Sequence, residues 1–195
     1  VSGGENTKAS NNGGSIYINA GTEFNMSGGT IKNGRAMNIG GNIYNAGTMN
    51  ISGDALITGG TMAGAGNASG NIAVVNGTLN ISGGVIDGDV GVTNSGKAGA
   101  TVNLSGKVVI NRGNVGGIYL SCYNYAYPAT VTIDGTLEEG SLIVVKSKED
   151  TVITSNAVAE ENLKYFQPEI EGKQIVWLTD DRDVNGDGTS DLHKL

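Results

Sequence analysis

Cysteine, proline and basic residues are scarce in this chain of 195 residues. A single cysteine excludes a disulfide within the chain. Two prolines beside 33 glycines exclude a proline-rich disordered linker and favour many tight turns between short strands. With 12 basic residues against 19 acidic ones and a net charge of −7, the chain lacks a basic patch for nucleic acid or for an anionic membrane surface. No apolar run reaches the roughly 20 residues of a membrane-spanning helix, so direct membrane insertion is not expected.

What the chain has is a short phrase that repeats. The phrase "GTLNISGG" at 77–84 returns as "GTMNISG" at 47–53 and, in altered form, as "GTEFNMSGG" at 21–29 and "ATVNLSGK" at 100–107. A second phrase precedes it, as in "GGSIYI", "GGNIYN", "SGNIAV" and later "GGIYLS", and a short apolar piece such as "LIT" follows it. Each unit therefore predicts three short strands separated by Gly/Asn turns.

The alternation within the phrase predicts which side chains face inward. Strand side chains alternate between two faces, so Leu79 and Ile81 share one face while Asn80 lies on the other. The same parity holds in the other copies, where an extra residue between Thr22 and Phe24 predicts a bulge. One unit cannot bury its apolar face alone, but units stacked in parallel can. We therefore predict an all-β fold, a parallel β-helix or β-solenoid of about five coils.

Two stretches carry a resemblance to a known family. "GGNIYNAGTMNISGDALITGG" and "SGNIAVVNGTLNISGGVIDGD" resemble the right-handed parallel β-helix repeats, of pectate-lyase-like shape, in bacterial secreted and cell-surface proteins of the adhesin type. The resemblance covers roughly residues 10–147. It implies a right-handed coil, in agreement with the usual hand of parallel crossovers, and an extracellular or bacterial cell-surface location. The opening "VSGGENTKAS" has no signal-peptide features, so we expect a fragment of a longer chain with flanking domains.

The glycine-rich phrase is lost towards the end of the chain. We predict a β-helix over residues 1–147, a capping segment over 148–180 and an acidic tail or linker over 181–195. The cap is expected to be a short β/α segment, with strands in "SLIVV", "DTVIT" and "KQIVWL" and a short helix near Val158–Phe166. Phe166 and Trp177 are expected to cover the open end of the solenoid, whose last strands otherwise expose unpaired edges.

The tail contains the motif "DRDVNGDGTSD". Alternating carboxylate and amide oxygens followed by a glycine are typical of loops that wrap Ca²⁺. The motif resembles the short calcium loops of dockerin-like modules, which implies a structural Ca²⁺ held by Asp183, Asn185, Asp187, Thr189 and Asp191. Lys194 stands where an EF-hand has a bidentate carboxylate. The alternative is a solvated acidic linker.

Outward-facing tyrosines are the candidate ligand site. The isoleucine of each upstream phrase faces inward, so the residue after it faces outward. This predicts exposed tyrosines at one strand position of three coils: Tyr17, Tyr44 and Tyr119. Further tyrosines follow in "YNYAYP". Aromatic rings with polar tips suit stacking on sugars or on a protein partner; the alternative is that they only cover the surface beneath long turns.

Two other patterns lie on the outward faces of the predicted coils. The Thr-Asn-Ser rows of successive coils, such as Thr78, Asn80 and Ser82, predict solvated polar ladders, with ordering of water or ice as the alternative. Asp87 and Asp89 are spaced to share one strand face, where two carboxylates can supply acid/base catalysis at a glycosidic bond. For a lyase, the candidate bases are Arg112 and Lys107. No catalytic motif accompanies them.

We therefore predict a non-catalytic, adhesin-like module that binds a glycan or protein on a host or neighbouring surface through a lateral face of the β-helix. Two alternatives remain from the sequence. One is a purely structural stalk or spacer, and the other is a polysaccharide lyase or glycoside hydrolase.

Overall fold

The computed structural model describes residues 1, 3–6, 11–63, 70–94, 99–111, 117–122, 130–147, 153–155 and 160–168. The described chain is an all-β parallel β-solenoid of about four turns, which confirms the predicted fold class with slightly fewer coils than expected.

The strands are short because glycine and asparagine interrupt every apolar stretch. In chain order they are β1 (Glu5–Asn6), β2 (Ile16–Ile18), β3 (Glu23–Met26), β4 (Thr30–Lys32), β5 (Arg35–Ala36), β6 (Ile43–Asn45), β7 (Thr48–Ile51), β8 (Leu56–Thr58), β9 (Thr61–Met62), β10 (Ile72–Val75), β11 (Thr78–Ile81), β12 (Val85–Asp87), β13 (Val90–Asn94), β14 (Thr101–Gly106), β15 (Val109–Asn111), β16 (Ile118–Cys122), β17 (Thr130–Leu137), β18 (Leu142–Ser147), β19 (Ile153–Ser155) and β20 (Phe166–Pro168). A 3₁₀-helix spans Glu160–Tyr165.

Corresponding strands of successive coils pair in parallel and in register, except that the register of β14 against β17 shifts between Leu104 and Gly106. The middle strands form one sheet in the order β19-β17-β14-β11-β7-β3, and β1, β5 and β9 form a small sheet of their own. The first strands and the third strands of the coils belong to one eleven-stranded sheet, because β18 pairs with both sets. Its Leu142 and Ile143 pair with β15, while Val145–Ser147 pair with β16. This shared strand ends the regular three-strand coil.

The core lies along the axis of the solenoid, and the predicted parity is confirmed. Leu79 pairs with Met49 on one side and with Val102 on the other, and all three are fully buried. The predicted bulge is wrong. Register is unbroken from Glu23 to Met26, and the extra residue lies in the preceding turn, where Thr22 bonds through both its amide and its hydroxyl to the Asn19 carbonyl.

The C-terminal part of the described chain packs as a partial cap. Phe166 is buried in the core and pairs with Ile143, and Tyr165 of the 3₁₀-helix packs against the same cluster. Asn162 accepts a hydrogen bond from the backbone N–H of Leu137 at 3.2 Å, which ties the 3₁₀-helix to β17. Trp177 and the predicted strand "KQIVWL" lie outside the described residues.

Candidate functional site

Two of the three predicted tyrosines form a stacked pair on the lateral surface. Register places Tyr17 of β2 beside Tyr44 of β6, and their rings stack with centroids 4.5 Å apart and planes inclined by 22°. Tyr17 is 52% exposed, and with Val1 it is one of the two exposed large apolar side chains among the described residues. Burial raises the pKa of the Tyr44 hydroxyl, and the charge and hydrogen bond of the adjacent Tyr17 hydroxyl add to that rise.

The exposed position predicted for Tyr119 is wrong. Register does continue the tyrosine column through Ala73 and Gly91 to Tyr119, but Ala73 is 2% and Tyr119 4% exposed. Strand parity decides only whether a side chain leaves the interior of the coil. It does not decide whether another part of the chain covers it there, and from the third coil onward this face is covered. Among the described residues, the exposed aromatic pair therefore lies in the first two coils; Tyr123, Tyr125 and Tyr127 of "YNYAYP" lie outside the described residues.

The polar rows on the middle strands form hydrogen-bonded ladders, as predicted. The side-chain amide of Asn103 donates to Asn80 at 2.7 Å, Asn80 donates to Asn50 at 2.7 Å, and Asn50 donates to Asn25 at 2.6 Å. We call these four residues the outer asparagine ladder. Asn50 also donates to the Glu23 carboxylate at 2.9 Å. Asn103, Asn80 and Asn50 thus each donate towards the N-terminal end of the solenoid, and the ladder bonds to itself along its length.

A second column of polar residues lies inside, where the third strand of one coil turns into the first strand of the next. It contains Ser15, Asn42, Asn71 and Asp89, each directly before a first strand, and we call it the inner corner column. Backbone hydrogen bonds link its successive members, as from the Asn42 N–H to the Asn71 carbonyl at 3.0 Å. The three C-terminal members are at most 3% exposed.

The two asparagines of this column join neighbouring coils. Asn42 accepts from the Gly34 N–H at 2.7 Å and donates both to the Thr58 carbonyl and to Asn71 Oδ1, each at 2.8 Å. Asn71 repeats the pattern one coil later, since it accepts from the Gly60 N–H at 2.7 Å and donates to the Asp87 carbonyl at 2.6 Å.

Glycine is required where these amides bond. A Cβ at Gly60 would lie 2.7 Å from Asn71 Oδ1 and 2.9 Å from Asn42 Nδ2, closer than van der Waals contact allows. The inner column was missed from sequence, although the repeated letters "GNI" before β6 and β10 carry its signal.

The carboxylates considered for glycoside chemistry do not form a pair. Asp87 is exposed on β12, where its oxygens accept from the hydroxyl of Thr58 at 3.1 Å and the amide of Asn111 at 3.5 Å. Asp89 is 3% exposed in the inner column. Gly88 between them has φ of 134°, which breaks the strand alternation that would place both on one face. Lys107 is exposed at the turn before β15, and Arg112 lies outside the described residues.

No metal cluster was found in the part of the chain that the structure describes: no group of three or more His, Cys, Asp or Glu side chains is placed to hold an ion there. The predicted calcium ligands Asp183, Asn185, Asp187, Thr189 and Asp191 all lie outside that part. Among the described helical residues, none belongs to a helix long and apolar enough to cross a membrane.

Comparisons with known proteins gave no match: no family model, no curated protein and no solved structure matches the chain. The parallel solenoid is shown by the structure, while the likeness to bacterial surface β-helix proteins stays a prediction.

Proposed function

We propose that this solenoid is a non-catalytic binding module, adhesin-like and exposed outside a bacterial cell, that takes a glycan on its lateral surface. The binding site we assign is the Tyr17–Tyr44 stack. The observation that carries the proposal is the 52% exposure of Tyr17, in a described chain that otherwise buries nearly all its large apolar side chains.

The geometry of the stack supports a flat apolar ligand. Tyr44 lies on the C-terminal side of Tyr17 and covers one face of its ring at 4.5 Å. The opposite face of the Tyr17 ring is turned towards the N-terminal end of the column. The apolar face of a sugar ring placed there would continue the stack, with the phenol hydroxyls at its edge as hydrogen-bonding groups. Asn19, Ala20 and Gly21 form an exposed turn directly after β2 and offer polar atoms beside it.

The alternative function is a structural spacer, and the asparagine columns support it. The asparagines of both columns run along the axis and bond from one coil to the next, so they stabilise the stack of coils without any ligand. A spacer leaves the exposure of Tyr17 unexplained, which is why we place it second.

We retain a structural Ca²⁺ at the Asp183–Asp191 motif as part of the proposal. The support is the alternating Asp183, Asn185 and Asp187 oxygens followed by Gly188. Ca²⁺ at about 100 times its dissociation constant should then stabilise the fold by about 2.7 kcal/mol. Thermal unfolding in Ca²⁺ and in chelator measures this, with Asp187→Asn as the variant that should lose the difference. Equal midpoints in both buffers would contradict the site.

The test of the glycan site is binding of the labelled protein to a glycan and mucin array with Ca²⁺ present. Wild type should bind a related set of sugars, Tyr17→Ala should bind them about tenfold more weakly, and Tyr17→Phe should keep most of the affinity because it keeps the ring. Lys32→Ala, an exposed change on β4, is the matched control. A blank wild-type array, or equal binding by Tyr17→Ala, would refute the proposed site and favour the spacer.

A further inference from the structure

The geometry points to Tyr17 and Tyr44 as a site of oxidative cross-linking: we propose that a haem peroxidase with hydrogen peroxide couples the two stacked rings into an intramolecular dityrosine. The site depends on the fold alone and not on the proposed glycan binding.

Register is the first support for this inference. The two tyrosines are direct partners in a parallel pair of strands, so both side chains leave the sheet in the same direction. Their ring centroids lie 4.5 Å apart and their planes are only 22° from parallel, so the two phenol rings are stacked in direct contact. The residues on either side of the tyrosines hold the same register, because Ile16 pairs with Ile43 and Ile18 with Asn45.

Accessibility is the second support. Tyr17 is 52% exposed, so an external oxidant can reach its hydroxyl, whereas the Tyr44 ring lies partly covered behind it. Tyr119 is 4% exposed and lies beside Gly91 rather than beside a second ring, so the same column offers no other such pair among the described residues.

The chemistry balances with one peroxide. Each phenol loses one electron and one proton, which gives two tyrosyl radicals. A carbon–carbon bond then forms between the two ring positions ortho to oxygen. The hydrogen on each of these carbons moves to its oxygen, which restores both phenols. The two electrons and two protons released reduce one hydrogen peroxide to two waters.

The consequence is a covalent link between the first and second coils. Coil 1 carries the edge strands β2, β3 and β4 of the solenoid, and edge strands are the first to open in local unfolding. Dityrosine between β2 and β6 fixes that edge to the next coil. It should therefore raise the unfolding midpoint and slow amide hydrogen exchange in β2.

The experiment treats the dilute, full 195-residue protein with a haem peroxidase and hydrogen peroxide and follows dityrosine fluorescence. Mass spectrometry of the monomer band should show loss of two hydrogens and one linked peptide pair that contains Tyr17 and Tyr44. Tyr17→Phe and Tyr44→Phe keep the ring stack but lack one phenol, so each should abolish that pair. Tyr165→Phe is the matched control and should leave it unchanged.

Cross-links confined to dimers would overturn the inference. So would an unchanged yield of intramolecular dityrosine in Tyr17→Phe, or a linked peptide that joins other tyrosines in place of this pair. Circular dichroism of the phenylalanine variants separates loss of the cross-link from loss of the fold.

Discussion

The inner corner column and the outer asparagine ladder use the same residue at the same coil spacing in opposite ways. Asn42 and Asn71 are buried and bond mostly to backbone groups of two coils, including the N–H of Gly34 and of Gly60. In the outer ladder, Asn50 and Asn80 bond only to other side chains at a partly exposed surface. Water can replace the second set of bonds more readily than the first, because the side chains of Asn42 and Asn71 are buried.

This difference separates structural columns from columns that are available for function. The inner corner column bonds to the backbone at the corners of the coils. Outward-facing side chains are therefore not needed to stabilise the backbone there. The outer ladder uses its hydrogen-bonding groups on itself and leaves little for a ligand. Tyr17, by contrast, is stacked on Tyr44 and still 52% exposed. We therefore place the binding function at this outward-facing, exposed aromatic side chain.

The largest effect is expected for Asn71→Ala in the inner column. This change removes the hydrogen bonds of Asn71 to the Gly60 N–H, the Asp87 carbonyl and Asn42 Nδ2, in a corner that is buried or partly buried. Each unsatisfied buried group costs about 1–3 kcal/mol, so we expect a loss of about 3–5 kcal/mol in the free energy of unfolding. Denaturant titration measures it, and a loss below about 1 kcal/mol would erase the distinction between the two columns.

The next effect is a gain, from Ser15→Asn. Ser15 holds the first position of the inner column, where its Oγ is buried and has no hydrogen-bond partner within the described residues. Its short side chain does not span the corner as Asn42 and Asn71 do. An asparagine there should reach the backbone of Gly4 and of Lys32 by the pattern of the next two coils, and stabilise the protein by about 1 kcal/mol.

Thermal and denaturant unfolding of Ser15→Asn test this prediction. Ser15→Ala is the control, because its side chain can form no hydrogen bond. An asparagine variant no more stable than the alanine variant would show that the corner of the first coil is built differently.

Smaller effects are expected in the outer ladder. Asn80→Ala breaks its bonds to Asn50 and Asn103, yet water reaches all three groups, so we expect a loss under about 1 kcal/mol. A double-mutant cycle with Asn50→Ala isolates the pair, for which we expect a coupling of about 0.5 kcal/mol. A loss as large as that of Asn71→Ala would mean that the exposed ladder also holds the coils together.

The sequence predicted the solenoid well because its determinants are local and repeated. Alternation within "TLNIS" sets the parity of each coil, and copies such as "TMNIS" set the register between coils. The inner column was not predicted, because the sequence does not distinguish a single buried asparagine before a strand from a turn residue. Its role becomes visible only when Gly34 and Gly60 are seen to approach it in space.

The tyrosine site was predicted only in part, for a related reason. Parity correctly placed Tyr17, Tyr44 and Tyr119 in one outward column. Burial of Tyr119 depends on what covers the outer face of that sheet, which is a contact between distant parts of the chain. A sequence repeat predicts which side chains face the interior of a coil. It does not predict which other parts of the chain cover the outer face of that coil.

The smallest effect concerns pH. Burial, together with the neighbouring Tyr17, raises the pKa of the Tyr44 hydroxyl in the folded protein. Its stabilising contribution is therefore complete below the pKa of unfolded tyrosine, about 10, and is lost as the pH rises through the folded value. Unfolding midpoints across this alkaline range should fall less steeply for Tyr44→Phe than for Tyr165→Phe. Equal slopes in the two variants would contradict the assigned coupling.

The most direct test of the binding account is to observe the tyrosine rings themselves during titration with a soluble oligosaccharide chosen from the array. Selective isotope labelling of tyrosine allows the ring signals to be followed by NMR and assigned with the phenylalanine variants. We predict that the Tyr17 signals shift most, that Tyr44 follows, and that Tyr165 stays in place. Shifts at Tyr165 or elsewhere with Tyr17 and Tyr44 unmoved would contradict the claim that this stacked pair is the binding site.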